Sequence, residues 1–466
     1  MIEAEPSVVG RLIRPADADY DAARRVWNGA IDRRPALIVR CAEPADAAIA
    51  LRYGREHGLP IAIRGGGHNV AGSAVCDGGV VIDFSEMRAA NIDAERRVAI
   101  VQAGALWGDC DQASQPVGLA IPGGIVTHTG VAGLTLGGGI GWTMRKYGLT
   151  SDSLLSVEMI LADGTQARVS PDSHPDLFWA IQGGGGNFGV VTSFEFTLHP
   201  IGPEVLAGPI VHRADRAADV LRFYRDFVAD APDELAVFVN LRTAPDLAWV
   251  PEELRGTPVV MLIPCYLGDL DEGARVLAPL RQFGPPAADL VQRKPYAAHQ
   301  GMFDATAPHG WGYYWKSHFL PPLTDDCIDV LVEQAWQKQS RAGYTLLFHM
   351  GGAVARGGDS AFGGRSAAHT VNLNAAWTEG GPSHPDIDWV RRYWQALAPH
   401  ATGGLYVNFL GNEGADLVRA AYGPSYDRLA AIKARYDPDN VFRINQNIIP
   451  NSTETGRSRE APSTGR

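Results

Sequence analysis

The segment Arg64-Gly65-Gly66-Gly67-His68-Asn69 places an imidazole directly after three residues that carry no side chain. An imidazole can serve as base, nucleophile or ligand near neutral pH. Three successive glycines lose conformational entropy on folding unless the main chain takes φ > 0 or lets another molecule approach its N–H groups. Consecutive N–H groups in such a turn form an anion nest suited to a pyrophosphate. Taken alone, the motif is equally a glycine turn with a surface histidine. Three further glycine-rich sites shift the balance: Pro122-Gly123-Gly124, the stretch from Gly130 and Gly133 to Gly137-Gly138-Gly139-Ile140-Gly141, and Gly183 to Gly189. Together they imply one long ligand threaded along a groove lined by main chain, as an adenine dinucleotide would be, its charge met by N–H groups rather than by Lys or Arg.

The elements around these sites narrow the ligand. The apolar run Leu59 to Ile63 predicts a buried strand feeding the His68 loop, and Ala45 to Glu56, after Pro44 and before Gly58, predicts a helix ahead of it. Val80 to Phe84 and Val98 to Val101 read as strands, and Leu154 to Leu161 joins Gln166 to Val169 through an Asp163-Gly164 turn. Gly184-Gly185-Gly186-Asn187-Phe188-Gly189 matches GxGxxG, but it follows a short helix opened by Ser173-His174-Pro175 and precedes the strand-like Val190 to Phe196. A Rossmann fingerprint needs strand before and helix after. The chain also contains no Gly-Lys pair, so neither a nicotinamide-Rossmann unit nor a P-loop is favoured.

The 466 residues predict two domains, and 45% hydrophobic with 20% charged residues is the composition of a globular protein. A formal charge of −11 with no basic stripe argues against nucleic acid as a partner. Cys41, Cys76, Cys110, Cys265 and Cys327 are far apart, without metal-like spacing, and read as reduced thiols; no metal site is expected. Neither a signal-peptide pattern nor an 18-residue apolar window is present, which predicts a cytoplasmic protein with no membrane partner. After Pro203 the glycine-rich style stops. Strands such as Val259 to Ile263 then alternate with helices such as Ala217 to Phe227, until Leu405 to Phe409 reads as a strand and Tyr426 to Tyr436 as a helix.

These pieces resemble, over nearly the whole chain, the berberine-bridge-enzyme-like FAD-linked oxidases of the vanillyl-alcohol-oxidase (PCMH-type) flavoprotein superfamily. The motifs that carry the resemblance are Arg64 to His68, Gly137 to Gly141 with Arg145-Lys146-Tyr147-Gly148-Leu149, Gly183 to Val191, Tyr406-Val407-Asn408-Phe409, and Tyr436 to Asn440 through Asn445-Gln446-Asn447. Trp27-Asn28-Gly29, Tyr314 to Ser317 and Gly351 to Val354 are similar to bacterial secondary-metabolite members, including the enterocin-pathway flavin oxygenase. The resemblance implies an α+β fold: a two-part PCMH-type FAD-binding domain over 1–203 and a substrate-binding domain over 204–402 with an antiparallel sheet covered by helices. Residues 403–450 would return to the FAD-binding domain and 451–466 form a loose tail.

The resemblance further implies that His68 carries the flavin through its 8α-methyl group. The second attachment found in many members, a cysteine, is expected to be absent because Val126 holds that position. Arg64, Gly65, Gly66, Gly67, Asn69 and Gly72 would hold the pyrophosphate and flavin edge. Gly123, Gly130, Gly133, Gly138 and Gly141 would line the adenine half, and Gly186, Asn187 and Val191 would touch the flavin. Thr129 matches the region that controls oxygen access.

Alternation along the expected strand puts Tyr406 and Asn408 on one face. A strand tyrosine is most often core with its hydroxyl satisfied; the resemblance makes Tyr406 the candidate base, a role that wants a lowered phenol pKa. Asn445, Gln446 and Asn447 bond the flavin ring or lock a C-terminal turn. On the substrate side stand Tyr314, Lys316, as helper or solvated strand-edge residue, and His349, as substrate-facing or simply buried. The expected reaction is oxidation of a C–H next to O or N of a small alcohol, sugar, alkaloid or polyketide-type molecule, with O2 reduced to H2O2. A dehydrogenase or oxygenase of the same fold, a flavin-loaded sequestration protein and a non-flavin nucleotide-binding protein are the alternatives.

Overall fold

Short parallel strands end where the first glycine loop begins. In the computed structural model, which describes residues 6–378 and 384–451, Leu37–Arg40, Val80–Asp83 and Ile61–Arg64 pair in parallel, and Arg11–Ile13 adds an antiparallel edge. The expected tail therefore lies outside the described residues beyond Asn451. Helix Pro44–Glu56 packs Ala47, Ala50 and Leu51 onto Ile61, Val80 and Ile82, and Pro44 occupies its first turn, where a missing N–H costs nothing. Buried Asp46 in that turn accepts from the N–H groups of Val9, Gly10 and Ala42, tying the edge strand to the helix.

A second sheet is wholly antiparallel, in the order Ala90–Asp93, Val98–Gln102, Val190–Thr197, Leu154–Ile160, Gln166–Val169. The Asp163-Gly164 turn closes its hairpin. Helix Pro175–Ile181 and strand Val190–Thr197 bracket the Gly183 to Gly189 cluster, the helix-before-strand order that disfavours a Rossmann unit.

The third sheet is larger. Strands Ile210–Arg213, Pro258–Tyr266, Leu235–Thr243, Tyr344–His349, His369–Trp377 and Gly312–Leu320 lie side by side, antiparallel throughout. Because side chains alternate across a strand, Val239, Leu347, Val371 and Leu373 face a layer of helices Ala217–Val228, Asp325–Ala335 and Asp386–Leu397. Phe238, Leu346 and Phe348 face the opposite way, toward Trp142 and Tyr406. The architecture is α+β.

The C-terminal segment corrects one expectation. Leu405 to Phe409 is not a strand: Val407–Phe409 forms a 3-10 turn, with Phe409 N–H donating to Tyr406 C=O and Leu410 N–H to Val407 C=O. No neighbouring strand pairs with it, so local bonds satisfy the main chain instead. Helix Tyr426–Tyr436 then carries Lys433, fully buried, whose ammonium donates to Asp437 and to the carbonyls of Asn187 and Phe442. Asp437 also accepts from the N–H groups of Val441 and Phe442. One buried ion pair thereby fastens the last segment to the Gly183 to Gly189 cluster. Removing one partner strands the other's charge, so Asp437→Ala should lower unfolding stability by about 3–5 kcal/mol, read as an earlier urea midpoint.

Candidate functional site

The three sheets and the C-terminal segment enclose one long cavity. None of the residues that line it is Asp, Glu, Lys or Arg. At one end the His68 loop meets the Gly130 segment backbone to backbone: a Cβ on Gly66 would lie 2.5 Å from the N and Cα of Gly130. At Gly133 and Gly186, by contrast, a Cβ would meet no atom within 4 Å, so these positions leave open space.

Of the residues singled out in the sequence, Gly65, Gly66, His68, Asn69, Thr129, Gly130, Gly133, Gly186, Asn187, Val191, Tyr406, Asn408, Asn445 and Gln446 line this cavity, as does Val126. Arg64 and Gly67 line an adjoining hollow with Arg25, Arg40, Arg88 and Asp83. Gly72, Gly123, Gly138, Gly141 and Asn447 line neither. Close packing accounts for two of these glycines: a Cβ on Gly123 would lie 2.6 Å from the Trp107 ring, and one on Gly141 1.9 Å from the Gly123 carbonyl oxygen.

His68 stacks on Trp27 at 4.2 Å between ring centroids, and its Nε2 lies 2.9 Å from Nδ1 of His128. Burial, then the neighbouring His128 and His309, hold its pKa well below the usual imidazole range, so the ring is neutral. Tyr406 is buried, and its hydroxyl accepts from the Gly139 N–H at 3.1 Å and from Asn408 Nδ2 at 2.8 Å. The turn therefore brings together the pair that a strand was expected to align. Burial pushes the phenol up to about 12, although the Asn408 and Gly139 donors pull it down. The shift runs opposite to the lowering that a resident phenolate would need.

The amides behave in two ways. Asn187 is used within the fold, donating to the Gly184 and Gln446 carbonyls and accepting from Ile448 N–H. Gln446 donates to the Leu410 carbonyl, the turn-lock arrangement. Asn445 donates to the Gly186 carbonyl while its buried Oδ1 has no partner, and Asn447 Oδ1 is likewise buried and unpartnered.

On the large sheet, alternation separates the expected substrate residues from the cavity. Tyr314 and Lys316 face away from it, donating to Glu413 at 3.0 and 2.7 Å, with Lys316 over the Trp394 ring. His349 packs near His369 and Tyr224 on the helix-covered side, kept neutral first by burial and then by Arg145. The intervening residues line the cavity: Trp315, Tyr344, Leu346, Phe348, Asn372 and Asn374. Tyr344, Asn374 and Trp315 form one row across adjacent strands. Asn372 Nδ2, Asn374 Oδ1 and Trp315 Nε1 are buried without partners, which a polar ligand would relieve. The signal was present in the sequence, since Asn372 and Asn374 stand two apart in the otherwise apolar run Val371 to Trp377.

All five cysteines are buried and free, and none lines the cavity. Among the described residues no cluster of His, Cys, Asp or Glu could hold a metal ion, and no helix is long and apolar enough to cross a membrane.

Comparison with known proteins identifies an FAD-binding domain over residues 35–170 and a berberine and berberine-like segment over 405–449. An FAD-linked oxidoreductase of Bacillus subtilis is 32% identical over 95% of this chain and 97% of its own length. The (R)-6-hydroxynicotine oxidase of Paenarthrobacter nicotinovorans is 31% identical over 95% of this chain and 97% of its own. The crystal structure of 6-hydroxy-D-nicotine oxidase from Arthrobacter nicotinovorans superimposes with a TM-score of 0.84 at 30% identity, covering 96% of this chain and 99% of that one.

The cavity fits FAD: Gly65, Gly66, Gly130, Gly133, Gly185, Gly186 and Gly189 line it, a glycine-rich wall that lets main chain meet a pyrophosphate, and Gly133 and Gly186 leave open space. Gly133 lies within helix Val131–Leu136, so Gly133→Ala should leave the apoprotein as stable or up to about 1 kcal/mol more stable. The added methyl should nevertheless reduce flavin content, read as the ratio of visible to ultraviolet absorbance in purified protein.

Proposed function

The chain belongs to the berberine-bridge-enzyme-like family of FAD-linked oxidoreductases, and from that premise we propose that it is an oxidase of a small uncharged molecule, acting on a C–H next to O or N. When bound, the flavin supplies the two-electron acceptor, with hydride passing to N5 and O2 recovering the electrons as H2O2. The observation that carries the reading is that the His68 ring and the Tyr406 residue belong to one cavity whose wall holds no ionised side chain. In this reading residues 1–203 and 403–450 hold the flavin and 204–402 present the substrate.

His68 is the attachment residue and the only one, since Val126 lines the cavity where a second link would need a thiol. Gly65, Gly66, Asn69 and Gly130 bring main chain to the pyrophosphate, and Thr129 borders the path of O2. Asn372, Asn374 and Trp315 orient the substrate by hydrogen bonds, while Leu346, Phe348 and Phe409 cover its apolar body. A charged substrate would lose its hydration without a counter-charge, so an amine is bound as the free base. The relative that acts on (R)-6-hydroxynicotine supports a C–H next to nitrogen.

Tyr406 steers the departing proton. Its phenol is protonated at neutral pH because burial raises it to about 12, so its base form, and any rate that depends on it, grows as pH rises. kcat/KM should therefore climb from neutrality upward in the wild type. In Tyr406→Phe the climb should vanish and kcat should fall about 10²- to 10⁴-fold, the usual contribution of a positioned acid or base; a variant with the wild-type profile removes Tyr406 from proton transfer. The reaction itself is tested by mixing the anaerobic holoenzyme with candidate alcohols, sugars, cyclic amines and polyketides, then admitting air. Flavin bleaching followed by recovery with stoichiometric H2O2 supports an oxidase. Recovery only with another acceptor marks a dehydrogenase, oxygen incorporated into product marks an oxygenase, and ligand-shifted spectra without bleaching mark a sequestration protein.

A further inference from the structure

His68 is the first of three histidines that run from the cavity to the surface. Its Nε2 lies 2.9 Å from His128 Nδ1, and the His128 ring lies 4.9 Å from that of His309, which is exposed. Trp27 fixes the direction of the first ring by stacking on it with 18° between planes. Trp27 is itself held, by Nε1 donating to the Ala307 carbonyl and by stacking on Tyr313 at 3.7 Å. With Nε2 turned to His128, Nδ1 lies on the other side of the ring, where its partner is the residue's own main chain and a molecule in the cavity can take that place.

We propose that His128 is the base for covalent self-attachment of the flavin at His68, and that His309 passes the released proton to solvent. The inference rests on the attachment reading above. The bond that forms joins His68 Nδ1 to the flavin 8α carbon; the bonds that break are one C–H of that methyl group and the Nε2–H of His68. The imidazole proton goes to His128 Nδ1 and the methyl proton to solvent. The two electrons of the C–H bond enter the flavin ring, and O2 removes them, taking up two protons to give one H2O2.

The surroundings suit each role. A nucleophile must be unprotonated at the attacking nitrogen, and burial keeps His68 neutral. His128 is also held below the usual imidazole range, by burial and by His309, so it is free to accept. Asp304 favours the cationic form that His128 takes in passing. That carboxylate is held in place by the Thr127 N–H at 2.9 Å and by the Thr127 hydroxyl. The groups around His128 are His68, His309 and Asp304, and His309 in turn borders the hollow lined by Arg25, Arg40, Arg64, Arg88 and Asp83, which opens to water.

The test uses wild type, His128→Ala, His128→Gln and His309→Gln, each produced under riboflavin limitation, then incubated with FAD in air. Samples are precipitated in acid over time and the His68 peptide is weighed. Both His128 variants should bind FAD as the wild type does before acid treatment, yet link it about 10²- to 10⁴-fold more slowly. Added imidazole should restore part of the His128→Ala rate, and His309→Gln should link at an intermediate rate. Wild-type linkage rates in both His128 variants, or loss of FAD binding along with linkage, would overturn the proposal. A wild type that never links flavin refutes the attachment reading itself, and this inference with it.

Discussion

Main chain meeting main chain at Gly66 and Gly130 is the contact on which the rest of the molecule depends. A methyl group at either position would strike the other segment's backbone within 2.5 Å, so the two ligand-bearing loops approach as closely as polypeptide can. That approach lets peptide N–H groups stand in for lysine and arginine. The wall of the cavity is free of Asp, Glu, Lys and Arg, and in the reading proposed above a pyrophosphate is met there by dipoles that cannot titrate.

The large sheet divides its labour by the two-residue period of a strand. Leu347, Val371 and Leu373 anchor the helices, while Leu346, Phe348, Asn372 and Asn374 face the cavity. Lys316 and His349 belong to the anchoring side. Their chemistry is spent on Glu413 and on a buried neutral pocket beside Tyr224 and His369. The polar groups on the cavity side, Asn372, Asn374 and Trp315, are ones that stay uncharged at every physiological pH.

Much of this was legible in the sequence. Glycine loops announce themselves because few other reasons justify them, and the hairpin at Asp163-Gly164 and the helix-before-strand order at Gly183 to Gly189 follow from local chemistry. Tyr406 illustrates where local rules stop. Its apolar neighbours suit a strand, but a strand needs an edge to pair with, and none is offered there. His128 and His309 were not singled out because their meaning lies in a spatial alignment across segments far apart in the chain. Gly123 and Gly141 look like ligand glycines in one dimension, and in three each packs against a neighbour that leaves no room for a Cβ.

The cavity is closed by a segment more than 300 residues further along the chain than the His68 loop. Tyr406, Asn408, Phe442, Ile444 and Asn445 supply one side of it, and the Lys433–Asp437 pair seats them against the Gly183 to Gly189 cluster. Without that segment the His68 loop borders half a wall. The pocket thus has its full wall only when the helix Tyr426–Tyr436 is docked, so a loop that is complete in itself becomes a pocket only through a segment far along the chain.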